Sequence, residues 1–86
     1  MISEREENDA LAEAQRKLTY GQKAVGLTFN PSGDPKVHQL KELFAAIIDI
    51  CDEVEYTPER WRLAAIAITQ AQQAQMWAVK AVTWKD

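Results

Sequence analysis

The sequence predicts an all-α fold: a short N-terminal helix, then a long antiparallel helical hairpin, assembled as a homo-oligomer. Three observations carry this reading. Two helix starts, Asp34-Pro35 and Thr57-Pro58, each place a capping oxygen before a proline at the first helical position. Between them Val37, Leu40, Phe44, Ile47, Cys51 and Val54 recur at spacings of 3, 4, 3, 4 and 3. That is an a/d seam. The residues from 58 to 84 are apolar around so much of a helical circumference that one partner helix leaves them partly uncovered.

Residues 3–18 read as the first helix. Ser3 with Glu6 three residues on makes a capping box, and acids crowd the first turn. Its apolar stripe, Leu11, Ala14 and Leu18, is enough to dock on a neighbour and too thin to hold a core. Residues 19–33 hold all three glycines, Gly21, Gly26 and Gly33. Val25, Leu27 and Phe29 alternate there, which reads as a short extended segment. Asn30 before Pro31 is biased away from helix.

Helix resumes at Asp34-Pro35, and Leu43 and Ile50 widen the apolar face of the seam. A helix over 35–55 is roughly 31 Å long. The break at Tyr56-Thr57-Pro58 is tight, so the next helix, over 58–84 and roughly 40 Å long, runs back antiparallel. It carries a line of small residues, Ala64, Ala67, Ala71, Ala74, Ala78 and Ala81, that lets helix axes approach closely. A second face holds Trp61, Ile68, Met76 and Val79, with Trp77 and Trp84 beyond it. Self-association is the economical way to cover this surface.

Composition narrows the functional classes. Eighty-six residues make one domain, 1–86, read as an arm over 1–21, a turn-rich loop over 22–34 and the hairpin over 35–84. One cysteine and one histidine leave no intrachain disulfide and no ordinary zinc set. Met1 to Asn8 is polar and acidic, unlike a signal peptide, and no 18-residue apolar stretch exists. The expectation is a soluble cytoplasmic protein with no membrane partner. A net charge of −3 argues against DNA or RNA as the partner. Charge is unevenly spread: residues 42–59 carry six acids and no base, whereas residues 60–86 carry four bases and one acid.

No catalytic constellation is present, and the chain is read as a non-enzyme without cofactor or metal. His38 has no nucleophile near it in sequence and reads as a solvated helix-face residue. Cys51 sits on the seam as a small hydrophobe. Asp49, Asp52, Glu53 and Glu55 lack a calcium-loop pattern and read as a solvated acidic hairpin end. What remains points to recognition. Phe29, in a polar loop before a helix start, either plugs the core or stacks on a base. The backbone N–H groups of the helix start favour a nearby phosphate, and Asp34 at the cap competes with that role. Lys41 lies off the 37/40/44 seam and so reaches outward, as a phosphate counter-charge or as a plain surface lysine. Arg62 and Thr69, seven apart, share one helical side. Thr69, Gln72 and Gln73 serve either interface hydrogen bonds or a ligand.

Residues 27–41, LTFNPSGDPKVHQLK, and 62–84, RLAAIAITQAQQAQMWAVKAVTW, resemble the helical hairpin domain shared by anti-CBASS protein 2 and Thoeris anti-defence protein 1. The resemblance implies a phage anti-defence sponge that sequesters cyclic oligonucleotide immune messengers without cleaving them, in an infected bacterial cell. It implies cyclic di- and trinucleotide ligands, such as cyclic GMP-AMP, held in separate pockets of a homohexamer. The Thoeris relatives bind a cyclic ADP-ribose isomer and carry extra sheet structure, for which this chain has little room. The family's base-stacking aromatic matches Phe29, its phosphate-contacting lysine Lys41, its last-helix arginine Arg62 and its helix threonine Thr69. Many all-helical members have tyrosine followed by arginine where this chain has Phe29-Asn30, which bears on base preference and leaves Asn30 as the companion loop contact.

In an antiparallel hairpin turning at 56–57, Lys41 lies opposite about residue 72, and Arg62 is roughly 15 Å nearer the turn. Either a neighbouring copy supplies one of them or they serve two pockets. The alternatives are a sponge for a cyclic ADP-ribose isomer of Thoeris signalling, a structural module that only oligomerises, and an enzyme such as a phosphodiesterase that opens the ring.

Overall fold

The computed structural model describes residues 17–86, and the expected helix over 3–18 lies outside them but for its last two residues. Three helices follow: α1, Tyr20–Ala24; α2, Pro35–Asp52; and α3, Pro58–Thr83. No strand occurs among the described residues. The helices α2 and α3 form the antiparallel hairpin, and α1 packs against α2.

Both helix starts form as the sequence implies. Asp34 is the N-cap of α2 and accepts the Lys36 N–H at 2.8 Å, with Pro35 at the first turn. Thr57 caps α3 by accepting the Arg60 N–H at 3.1 Å, and Pro58 follows. The long helix ends earlier than expected, at Asp52. The Glu53 N–H closes it on the Asp49 and Ile50 carbonyls. Pro58 then holds Thr57 extended, at φ −136° and ψ 156°.

The segment read as extended is different. Thr19 accepts the Gln22 N–H at 3.1 Å while the Gln22 side chain takes the Thr19 N–H at 2.9 Å. This capping box starts α1. The chain leaves α1 in a tight turn in which the Leu27 N–H donates to the Gln22 carbonyl and the Phe29 N–H to Gly26. The alternation of Val25, Leu27 and Phe29 reflects that turn: Val25 is buried, Leu27 half-buried and Phe29 exposed.

The buried line on α2 is Val37, Lys41, Ala45 and Ile48, which shares only Val37 with the heptad set. Ile47 and Val54 are exposed. A straight helix at about 3.6 residues per turn drifts off a 3.5-residue repeat, and α2 also faces α1 as well as α3. The core is small: Val25, Ala45 and Ile48, with Ala24, Leu27, Phe44, Ile68 and Ala71 packed around them. Gln72 donates to the Ala24 carbonyl at 3.3 Å and ties α3 to the end of α1.

Much apolar surface stays uncovered. Leu43, Ile47 and Ile50 on α2 and Trp61, Leu63, Ile66, Met76 and Trp77 on α3 are all exposed. No helix of the described residues is long and apolar enough to cross a membrane.

Candidate functional site

The loop between α1 and α2 is built from its own polar groups. Gly26 and Gly33 take φ of +64° and +67°, a region L-residues disfavour. The Asn30 amide donates to the Asp34 carbonyl at 3.0 Å, Ser32 donates its hydroxyl to Asn30 Oδ1 at 2.6 Å, and the Asp34 N–H reaches Ser32 Oγ at 3.1 Å. Asn30 is therefore a brace inside the loop, and the Gly33 N–H adds a turn bond to its carbonyl.

Phe29 is not a core plug. Its side chain stands out of this braced loop, and the residue is 68% exposed. Lys41, expected to reach outward, is instead only 6% exposed. Its ammonium donates to the Gly26 carbonyl at 3.0 Å and to the Phe29 carbonyl, and lies 5.5 Å from the centre of the Phe29 ring. Burying an ammonium is costly unless it is hydrogen-bonded. The two loop carbonyls meet that demand. Lys41 thus locks the backbone on either side of the aromatic.

This lock has a measurable consequence. Lys41→Met keeps the stem and removes the ammonium, leaving two carbonyls without their donor. Hydrogen exchange at the amides of residues 27–33 is expected to quicken, with local protection lower by about 2 kcal/mol, while α2 and α3 keep theirs. Unchanged exchange in the loop would contradict the lock.

Arg62 and Thr69 lie elsewhere. They line one shallow depression of about 400 Å³ on the outer side of α3, with Trp61, Ile66 and Gln70. The Arg62 guanidinium grips Glu59 with two hydrogen bonds, at 3.1 and 2.6 Å. These bonds hold the Glu59 carboxyl below the usual carboxylate range and raise the arginine's own affinity for its proton. An anion reaching Arg62 competes with Glu59. Thr69 also borders a groove of about 250 Å³ between α1, α2 and α3, near Tyr20, Tyr56 and Trp61. The structure therefore brings Phe29, Asn30 and Lys41 together at the loop and Arg62 and Thr69 together on α3. It does not join the two sets within one copy.

Sequence reasoning missed two positions that set the loop's foundation. Asp49, read as part of a solvated acidic end, is half-buried and accepts the Gly21 N–H at 2.7 Å. Gly21 is buried against α2. The Thr19-x-x-Gln22 spacing was the available signal for both, because a helix beginning there exposes free N–H groups to α2.

The site defines a class: a helical hairpin that presents one outward aromatic on a locked loop and a separate shallow depression, holding one paired arginine, on its last helix. The family model Acb2/Tad1, hairpin domain, matches residues 22–83. The chain belongs to that family. Comparisons with curated proteins and with solved structures find no significant match.

Proposed function

We propose that this protein is an anti-defence sponge that binds cyclic oligonucleotide messengers and holds them intact. The observation that carries the proposal is Phe29, an exposed ring on a loop that Lys41, Asn30 and Ser32 hold in one shape. A platform fixed before the ligand arrives loses little freedom on stacking, and stacking on a base is worth about 1–3 kcal/mol. Family membership supports the ligand class. A concave pocket around Phe29 requires a second wall, and the exposed Leu43, Ile47 and Ile50 of α2 with Leu63 and Ile66 of α3 supply apolar surface for self-association, in a homohexamer as the resemblance implies.

The mechanism is mass action. Free messenger falls when the protein is present at comparable concentration and binds tightly, and no bond is broken. Phe29 stacks on a base. The Lys36 ammonium, in the first turn of α2, offers positive charge to phosphate. Arg62 and Thr69 form a second recognition surface, for a different ligand class, completed by another copy.

Calorimetric titration with cyclic dinucleotides, cyclic trinucleotides and a cyclic ADP-ribose isomer tests this reading. Binding of a cyclic dinucleotide that survives Arg62→Ala, with loss of a cyclic trinucleotide in the same variant, is the expected pattern. Equal loss of one ligand in Arg62→Ala and Phe29→Ala would mean one shared site. Heat only with the cyclic ADP-ribose isomer would move the proposal to Thoeris signalling. No heat with any of them would leave a structural hairpin module, which the uncovered apolar surface favours.

A further inference from the structure

The hairpin turns at 53–57, so the start of α2 and the end of α3 share its open end. Trp77 and Trp84 stand there, seven residues and about two turns apart, and both are mostly exposed. Lys80 lies between them, its ammonium 5.2 Å from the centre of the Trp77 ring and 5.6 Å from that of Trp84. Ala81 forms a low floor, and the four residues line a shallow, open depression of about 270 Å³. The Trp84 indole N–H donates to Asp86 Oδ1 at 3.2 Å, which orients the ring.

Two aromatic walls, a small apolar floor and one cation suit a flat π-system that carries an anion. Such a ligand stacks where the ammonium now rests, and the freed ammonium turns to the anion. Two carboxylates at this end are each tied to a neutral N–H donor and keep their charge: Asp34 to the Lys36 amide and Asp86 to the Trp84 indole. Lys36 and Lys85 add positive charge at the same end, whereas Asp52, Glu53, Glu55 and Glu59 gather at the turn. A purely apolar occupant would instead have to strip water from the Lys80 ammonium without replacing it.

We propose that Trp77, Lys80 and Trp84 form a binding site, separate from Phe29, for a single nucleobase bearing a phosphate. The test is titration of the full chain with AMP, adenosine and inorganic phosphate, following the three indole N–H signals by NMR. Trp61 borders the separate depression beside Arg62, so the titration is run in Arg62→Ala, where Trp61 is the internal control. AMP is expected to shift Trp77 and Trp84 saturably and leave Trp61 in place, with adenosine binding about fivefold more weakly. Trp84→Ala should weaken AMP about tenfold, and Lys80→Ala should make AMP and adenosine equivalent. In Phe29→Ala the AMP-induced shifts should persist, which separates this site from the messenger site. No shift, a shift shared equally by Trp61, or indole signals that respond only to protein dilution would overturn the proposal; the last would make the depression a contact between copies.

Discussion

Phe29→Ala is expected to weaken cyclic dinucleotide binding by about tenfold to a hundredfold while leaving the helical circular dichroism and the melting temperature almost unchanged. The ring is 68% exposed and contributes nothing to the core of Val25, Ala45 and Ile48. Its one contact of note is the buried Lys41 ammonium, and with the ring face open to water this cation–π pair is worth about 1 kcal/mol. Removing it leaves the Lys41 bonds to the Gly26 and Phe29 carbonyls in place, because both are backbone acceptors. The loss therefore falls on ligand stacking, about 1–3 kcal/mol per base. Calorimetry with the variant, alongside a thermal melt, separates the two effects. A melt lowered by many degrees would return Phe29 to the role of core plug, and unchanged affinity would remove it from the site.

Gly21→Ala is expected to have the largest effect on stability. A Cβ at Gly21 would stand 2.1 Å from the Ala45 carbonyl oxygen and 2.8 Å from Asp49 Oδ1. The first neighbour is backbone of a long helix and cannot turn aside. Helix α1 must lift from α2, losing the Gly21 to Asp49 hydrogen bond and exposing Val25. Overpacking and the lost bond together come to about 3 kcal/mol, or roughly 12–24 °C in melting temperature for a chain of this size. Gly33→Ala is the control. Nothing lies within 4 Å of its Cβ position, and only its φ of +67° resists alanine, at about 1 kcal/mol. Both melts need the same protomer concentration, since the proposed self-association would contribute to apparent stability. A Gly21→Ala melt equal to that of the parent would contradict the close packing of α1 on α2.

The residues that declare helix starts were legible. Asp34-Pro35 and Thr57-Pro58 act locally, through one side-chain oxygen and a fixed φ, so their spacing alone predicts them. The hairpin follows from the short link between them. Lys41 was not legible. A lysine off a heptad seam reads as solvated, and only the arrival of the Gly26 and Phe29 carbonyls overhead makes its burial favourable. Phe29 alone left two readings open. The turn that decides between them depends on α1, which the glycines obscured even though Thr19 and Gln22 signalled it. Asp49 was misread for a related reason: its partner, the Gly21 N–H, is 28 residues away. Arg62 and Thr69 line one depression of α3, as their seven-residue spacing implies, and no other helix of the described residues lines it with them.

The central claim is that several copies of this chain together hold intact cyclic nucleotide. Native mass spectrometry of the protein mixed with cyclic di- and trinucleotides addresses it directly, with the ligand recovered after denaturation. The account predicts a multimer carrying bound nucleotide that is released with its ring closed, and the loss of bound dinucleotide in Phe29→Ala. A protein that binds none of these nucleotides, or one that returns them as linear products, would contradict it.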